Sequence, residues 1–153
     1  MKIKALVLCA VMIGSVAFAQ AAGKVSIVPL PESIIEGTGH FSLGGDTHIN
    51  YETTYPELEN AGDMLSEYMA PIFGKELKVK ASAAKKNAVN LAVDKAMAEE
   101  EYLLSVQKDR ITITGGSAKG VFYGIQTLRQ LITSSGGNNG SVAVYNIPVV
   151  SIK

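Results

Sequence analysis

The segment GGSAKGVFYGIQTLRQL, residues 115–131, restricts the fold more than any other part of the chain. It follows the alternating run Arg110-Ile111-Thr112-Ile113-Thr114, so a strand, a tight glycine turn and an amphipathic helix are expected in succession. Ser117 stands where an N-cap belongs, its hydroxyl placed to accept from an orphan N–H of the first turn. Val121, Ile125, Leu128 and Ile132 then recur at spacings of four, three and four, with Phe122 and Leu131 widening the stripe. Such a face is built for burial. Gly120 and Gly124 lie one turn apart inside this helix, and each costs about 1 kcal/mol relative to alanine. That cost points to a close backbone approach of the helix onto its sheet.

A glycine turn ahead of a helix could instead cradle a phosphate. A Walker loop requires Lys and then Ser or Thr after its last glycine, whereas Val121 and Phe122 follow Gly120. The spacing of Gly115, Gly116 and Gly120 does not make a dinucleotide fingerprint either. The turn reads as architecture.

Elsewhere the pattern is of short strands and one more helix. Residues 25–31 read as a strand stopped by Pro29 and Pro31. Residues 33–36 and 40–43 suggest a hairpin across Gly37-Thr38-Gly39, and 47–51 a further strand. After Pro56, the residues Leu58, Ala61, Leu65, Tyr68, Met69 and Ile72 keep helical spacing up to a stop at Gly74, with Pro71 marking a frayed end. Residues 77–80 alternate like an edge strand. The apolar run 88–93 suits a strand covered on both faces, and 102–107 pairs with 110–114. A glycine- and asparagine-rich loop, 134–140, leads to a last strand or strand pair within 141–152. Each helix has one apolar stripe and the strands largely alternate. The expected fold is therefore α+β: a mixed, mostly antiparallel sheet with two helices packed on one face.

The run Ile111-Thr112-Ile113, Gly115-Gly116 and Lys119-Gly120-Val121-Phe122-Tyr123-Gly124-Ile125-Gln126-Thr127-Leu128-Arg129-Gln130-Leu131 resembles the segment just upstream of the catalytic barrel in the β-N-acetylhexosaminidases of glycoside hydrolase family 20. Asn146-Ile147-Pro148-Val149-Val150-Ser151-Ile152 resembles the short strand that follows there, and Ser26-Ile27-Val28-Pro29-Leu30-Pro31-Glu32 the opening of the family's accessory domain. The resemblance implies an α+β accessory domain whose partner is a catalytic (β/α)₈ barrel. On that barrel an adjacent Asp-Glu pair cleaves terminal N-acetylhexosamine from glycans, with the substrate's own acetamido group as nucleophile. A barrel takes about 250 residues, which these 153 do not contain. No catalytic residue is carried over, and the chain by itself is expected to be an inactive fragment or truncated product. Tyr123, Gln126, Arg129 and Gln130, off the buried stripe, are the candidates for facing the barrel.

At the amino terminus Lys2 and Lys4 precede the apolar residues 5–16, and Ala17-Phe18-Ala19 supplies a small-x-small pattern. This reads as a signal peptide, residues 1–19, leaving residues 20–153 as one domain exported to the periplasm or beyond. A buried helix is the alternative. A membrane span would need about 20 apolar residues, so no stable membrane anchor is expected. Cys9, the one cysteine, lies in this leader; Leu8 before it argues against a lipidation site. The mature chain then has no thiol for disulfides, nucleophiles or metal.

Charge is balanced at 14 basic and 14 acidic residues, without a basic stripe interleaved with aromatics, so nucleic acid is not an expected partner. Lys75, Lys78, Lys80, Lys85 and Lys86 read as a solvated edge and loop, and Glu99-Glu100-Glu101 as an exposed lead-in to a strand. His40 and His48 form no zinc motif, so neither a metal nor a cofactor is expected, and a metalloprotease-like fold is disfavoured. The competing functional class is a stand-alone module binding glycan or protein in the periplasm, and the absence of tryptophan weighs against a sugar-stacking platform.

Overall fold

The computed structural model describes residues 25–82, 86–135 and 143–153. The expected leader with Cys9, Lys85, most of the glycine-rich loop and the first residues of the last expected strand lie outside these. Seven strands and two helices follow in the order β1 (Ile34–Gly44), β2 (His48–Tyr51), α1 (Leu58–Phe73), β3 (Val79–Ala81), β4 (Ala88–Val93), β5 (Tyr102–Val106), β6 (Arg110–Gly115), α2 (Ala118–Ser134) and β7 (Val144–Ile152). They make one mixed sheet in the order β1-β7-β5-β6-β4-β2-β3. Among the described residues three ladders are antiparallel and three parallel, so the antiparallel share is half. Each parallel step is bridged by a long connection: α1 lies between β2 and β3, and the β5 hairpin arm between β4 and β6.

Register sorts the side chains into layers. Ile49, Val89, Ile111, Val106 and Val150 stand side by side across five strands, and Tyr51, Leu91, Ile113, Leu104 and Ile152 form the next row. All ten are buried. Both helices cover this face, with α2 over β5 and β6, α1 over β2 and β3, and the two helices touching each other. Burying Val121, Ile125, Leu128 and Ile132 against these rows contributes about 1.5–3 kcal/mol apiece. The opposite face carries Asn50, Asn90, Thr112, Ser105 and Ser151 in one row, with no described helix above it. The run 88–93 is thus helix-covered on one face only, its Ala88, Asn90 and Ala92 alternating away from the helices.

Three further local expectations are corrected. The two expected arms, 33–36 and 40–43, belong to one strand, β1 (Ile34–Gly44), not a hairpin: both halves of β1 pair with β7, and the register shifts between Glu36 and His40. The Gly37-Thr38-Gly39 signal marks a bulge. Gly39 takes φ +97°, which side-chain-bearing residues rarely adopt, and a methyl at Gly37 would run into Val149 of β7. Residues 25–31 form no strand. Pro29 and Pro31 lack donors, and the Val28 backbone bonds instead to the Gln130 amide (N to Oε1 2.9 Å, Nε2 to O 2.8 Å). Phe122 does not join the buried stripe. It sits about 100° round the helix from Val121, outside the buried arc, and is 40% exposed.

Candidate functional site

The glycine turn is closed by backbone. Ser117 Oγ accepts from Lys119 N (3.1 Å) and donates to the carbonyl of Glu99 (2.7 Å), while Gly116 N donates to the carbonyl of Glu101 (3.0 Å). A methyl at Gly116 would overlap the carbonyl of Ala98, and one at Gly120 the carbonyl of Glu101. The N-terminus of α2 therefore meets a wall of carbonyl oxygens contributed by residues 98–101. Acceptors face the site where an anion would have to lie, so a phosphate is repelled rather than held. A turn further on, a methyl at Gly124 would overlap Ile113 Cγ2 and come within 3.3 Å of the Tyr102 ring. These two glycines set the depth at which α2 beds on β5 and β6.

The acidic triplet turns out to serve that wall. Lys119 pairs with Glu100 across the turn. Glu101 accepts from Ala98 N (3.0 Å) and from Lys153 Nζ (2.8 Å), tying the end of β7 to the loop that seats the helix. The Lys153 ammonium, helped by the Ala98 N–H, holds the Glu101 carboxyl below the usual carboxylate range. A group whose pKa is lowered by folding stabilises above its unfolded pKa and loses that contribution as pH falls through the folded value. Glu101→Gln should therefore lower the urea midpoint at pH 7, and the gap to the native chain should narrow as pH falls below the unfolded carboxylate value of about 4.3 and on through the lowered folded value. An equal gap at pH 7 and pH 3 would refute the electrostatic role.

The outward side of α2 is the remaining candidate. By helical angle, Arg129, Phe122, Gln126, Gln130 and Tyr123 share this side. Gln126, Arg129 and Tyr123 are half-buried, and the Phe122 and Tyr123 rings meet edge to face at 5.9 Å. The Arg129 guanidinium lies 4.0 Å over the ring of Tyr68 in α1 and donates to Gln126 Oε1 at 2.8 Å. Tyr68 OH meets Thr133 Oγ1 at 3.3 Å, and Thr133 donates to the carbonyl of Arg129 at 3.0 Å. Gln130 spends its amide on the Val28 backbone, and the Val28 side chain is exposed. Tyr68, read from sequence as part of the α1 stripe, and Val28 were not assigned to this face there. Tyr68 fits the α1 stripe as well as it fits a stacking role, and only the second helix distinguishes the two.

No three His, Cys, Asp or Glu side chains come together among the described residues to hold a metal ion; His40 is exposed on β1 and His48 half-buried on β2. Lys75 and Lys78 flank a cavity of about 240 Å³ with Asp46 and Glu76, where both signs of charge mix. No described helix is long and apolar enough to cross a membrane.

Comparison with known proteins gives a consistent answer. The profile of glycosyl hydrolase family 20, domain 2, matches residues 24–153. A β-hexosaminidase of Porphyromonas gingivalis is 30% identical over 133 residues, covering 84% of this chain and 17% of that protein. The N-acetyl-β-hexosaminidase of Streptomyces plicatus superposes with a TM-score of 0.67 at 27% identity, over 82% of this chain and 25% of that one. The β-N-acetylhexosaminidase of Streptomyces coelicolor shares the fold at a TM-score of 0.67 and 24% identity, over 80% of this chain and 25% of that one. The chain thus spans about a sixth to a quarter of the length of these relatives.

Proposed function

The chain belongs to glycosyl hydrolase family 20, as its accessory domain 2, and from that premise we propose that it is the scaffold against which the catalytic barrel of an exported β-N-acetylhexosaminidase is seated. The observation that carries this reading is that the family match over residues 24–153 is to the accessory domain. In that role the sheet and the inward side of α2 make a rigid body, and the outward side of α2 is the surface presented to the barrel. Tyr123, Gln126 and Arg129, with Phe122 beside them, are the residues we assign to that contact. Gln130 acts one step back, holding the Val28 segment at the edge of the face. Removal of terminal N-acetylhexosamine then belongs to the barrel, and the residue 1–19 leader directs the whole to the periplasm or outside the cell.

The chain purified alone should release no chromophore from an aryl N-acetylglucosaminide above the buffer rate. Sustained turnover by this chain would defeat the scaffold reading. Saturable binding of labelled chitooligosaccharides to it would instead favour the stand-alone glycan-binding class.

A further inference from the structure

Arg129 is a cation whose countercharge is not in this chain. All 14 acidic residues lie within the described segments, so the residues outside them could not supply a carboxylate. Among the described residues the ion pairs are Asp109 with Arg110, Glu100 with Lys119, and Glu32 and Glu101 with Lys153; Arg129 is in none. It is nevertheless held in place. The ring of Tyr68 supports one face of the guanidinium, Gln126 takes one of its five donors, and the Tyr68–Thr133–Arg129 backbone contacts close the circuit. An arginine normally loses much rotamer freedom on pairing. Here that loss is already incurred in the free domain, the arrangement that favours a strong contact later. The fork faces an open groove of about 470 Å³ lined by Ser26, Tyr68, Gln126, Gln130, Thr133 and Ser134, in which no carboxylate takes part.

Resting on the docking reading above, we propose that Arg129 is the anchor of the α2 face and that its partner is an Asp or Glu carboxylate on the catalytic barrel, gripped by both arms of the guanidinium. A planar fork fits a carboxylate in two parallel hydrogen bonds, a geometry a lysine cannot reproduce. Seating a barrel over a half-buried cation strips its water, and only an opposite charge offsets that loss. Exposed Phe122 and Val28 then exclude solvent around the pair, as apolar neighbours do around interface hot spots.

The test is a full-length chimera in which residues 24–153 replace the matching segment of the Porphyromonas gingivalis β-hexosaminidase, compared by scanning calorimetry with the chain alone. Docking raises the module's transition in the chimera above that of the isolated chain. Arg129→Gln should lower the chimera's transition by roughly 5 °C, while the isolated chain, where Arg129 has no charged partner, shifts by under about 2 °C. Arg129→Lys restores the charge without the fork and should recover less than half of the loss. Raising NaCl from about 50 mM to 500 mM should narrow the gap between native and Arg129→Gln chimeras, as screening weakens the pair. An Arg129→Gln chimera that melts like the native one overturns the anchor and leaves docking intact. A native chimera that fails to fold, or whose module melts at the isolated chain's own midpoint, overturns both.

Discussion

Gly120→Ala lowers the unfolding midpoint of the chain by roughly 10 °C, although helix propensity alone gives the opposite sign. Alanine gains about 1 kcal/mol over glycine in a helix interior. Against that gain stands the methyl itself, which would overlap the Glu101 carbonyl oxygen and lie 3.2 Å from both the Glu99 carbonyl and Gly115 Cα. None of these is the end of a flexible side chain. All are backbone, and the loop bearing them is pinned by Gly116 N to Glu101 O (3.0 Å), Glu101 N to Ala98 O (3.0 Å) and Asp94 N to Gly115 O (2.9 Å). Relief means either lifting α2 off β5 and β6 or breaking the Gly116–Glu101 bond. Overpacking costs about 1–3 kcal/mol, occasionally more, and a lost hydrogen bond about 1. The helix gain and the lost bond roughly cancel, and because every obstacle is backbone the overpacking falls at the top of its range, so the net loss is about 3 kcal/mol, which in a domain this size is roughly 10 °C. Thermal circular dichroism decides it. A midpoint at or above that of the native chain would show that helix α2 is not seated on the carbonyl wall.

What could be read from sequence, and what could not, divides by the range of the interaction. The α2 stripe, its Ser117 cap, the β5–β6 pairing and α1 all rest on neighbours within a few residues, and those patterns are printed in the chain. The strand β1 is different. Gly37-Thr38-Gly39 carries the same local signal whether the chain folds back or bulges, and the choice is made by β7, which pairs with it from more than 100 residues away. Glu99 and Glu100 are exposed just ahead of β5, as the sequence suggested; what a sequence does not display is that the main-chain carbonyls of Glu99 and Glu101 seat α2 and that Glu101 reaches Lys153 at the far end of β7. Phe122 sits one residue from the stripe, close enough to be counted with it; the angle of about 100° decides otherwise. On the outward face, Arg129 and Gln126 were legible as off-stripe residues. Their organisation was not, because Tyr68 reaches them from another helix. The family was legible because residues 117–131 carry the Ser117 cap, the buried stripe and the outward polar side chains within one local segment.

The second test concerns the contact one turn further along, where the neighbour is a side chain and can be removed. Gly124→Ala places a methyl against Ile113 Cγ2, with the Tyr102 ring 3.3 Å away. Ile113 is fully buried in the second core row, β-branched and stiff, so it cannot rotate aside. The single change should cost about 2 kcal/mol. Ile113→Ala alone should cost about 3–4 kcal/mol, the transfer term plus the cavity it leaves. Combined, the two changes no longer collide, and the new methyl fills part of the new void. The double variant should then be about 2 kcal/mol more stable than the sum of the singles, well outside the scatter expected for independent sites. Gly120→Ala supplies the contrast, since its obstacle is backbone: paired with Ile113→Ala it should add without rescue. Urea denaturation of the four combinations at each glycine reads this out directly. Additivity at Gly124, or rescue at Gly120, would mean that the helix rests on the sheet at some other point and that the two glycines have exchanged roles.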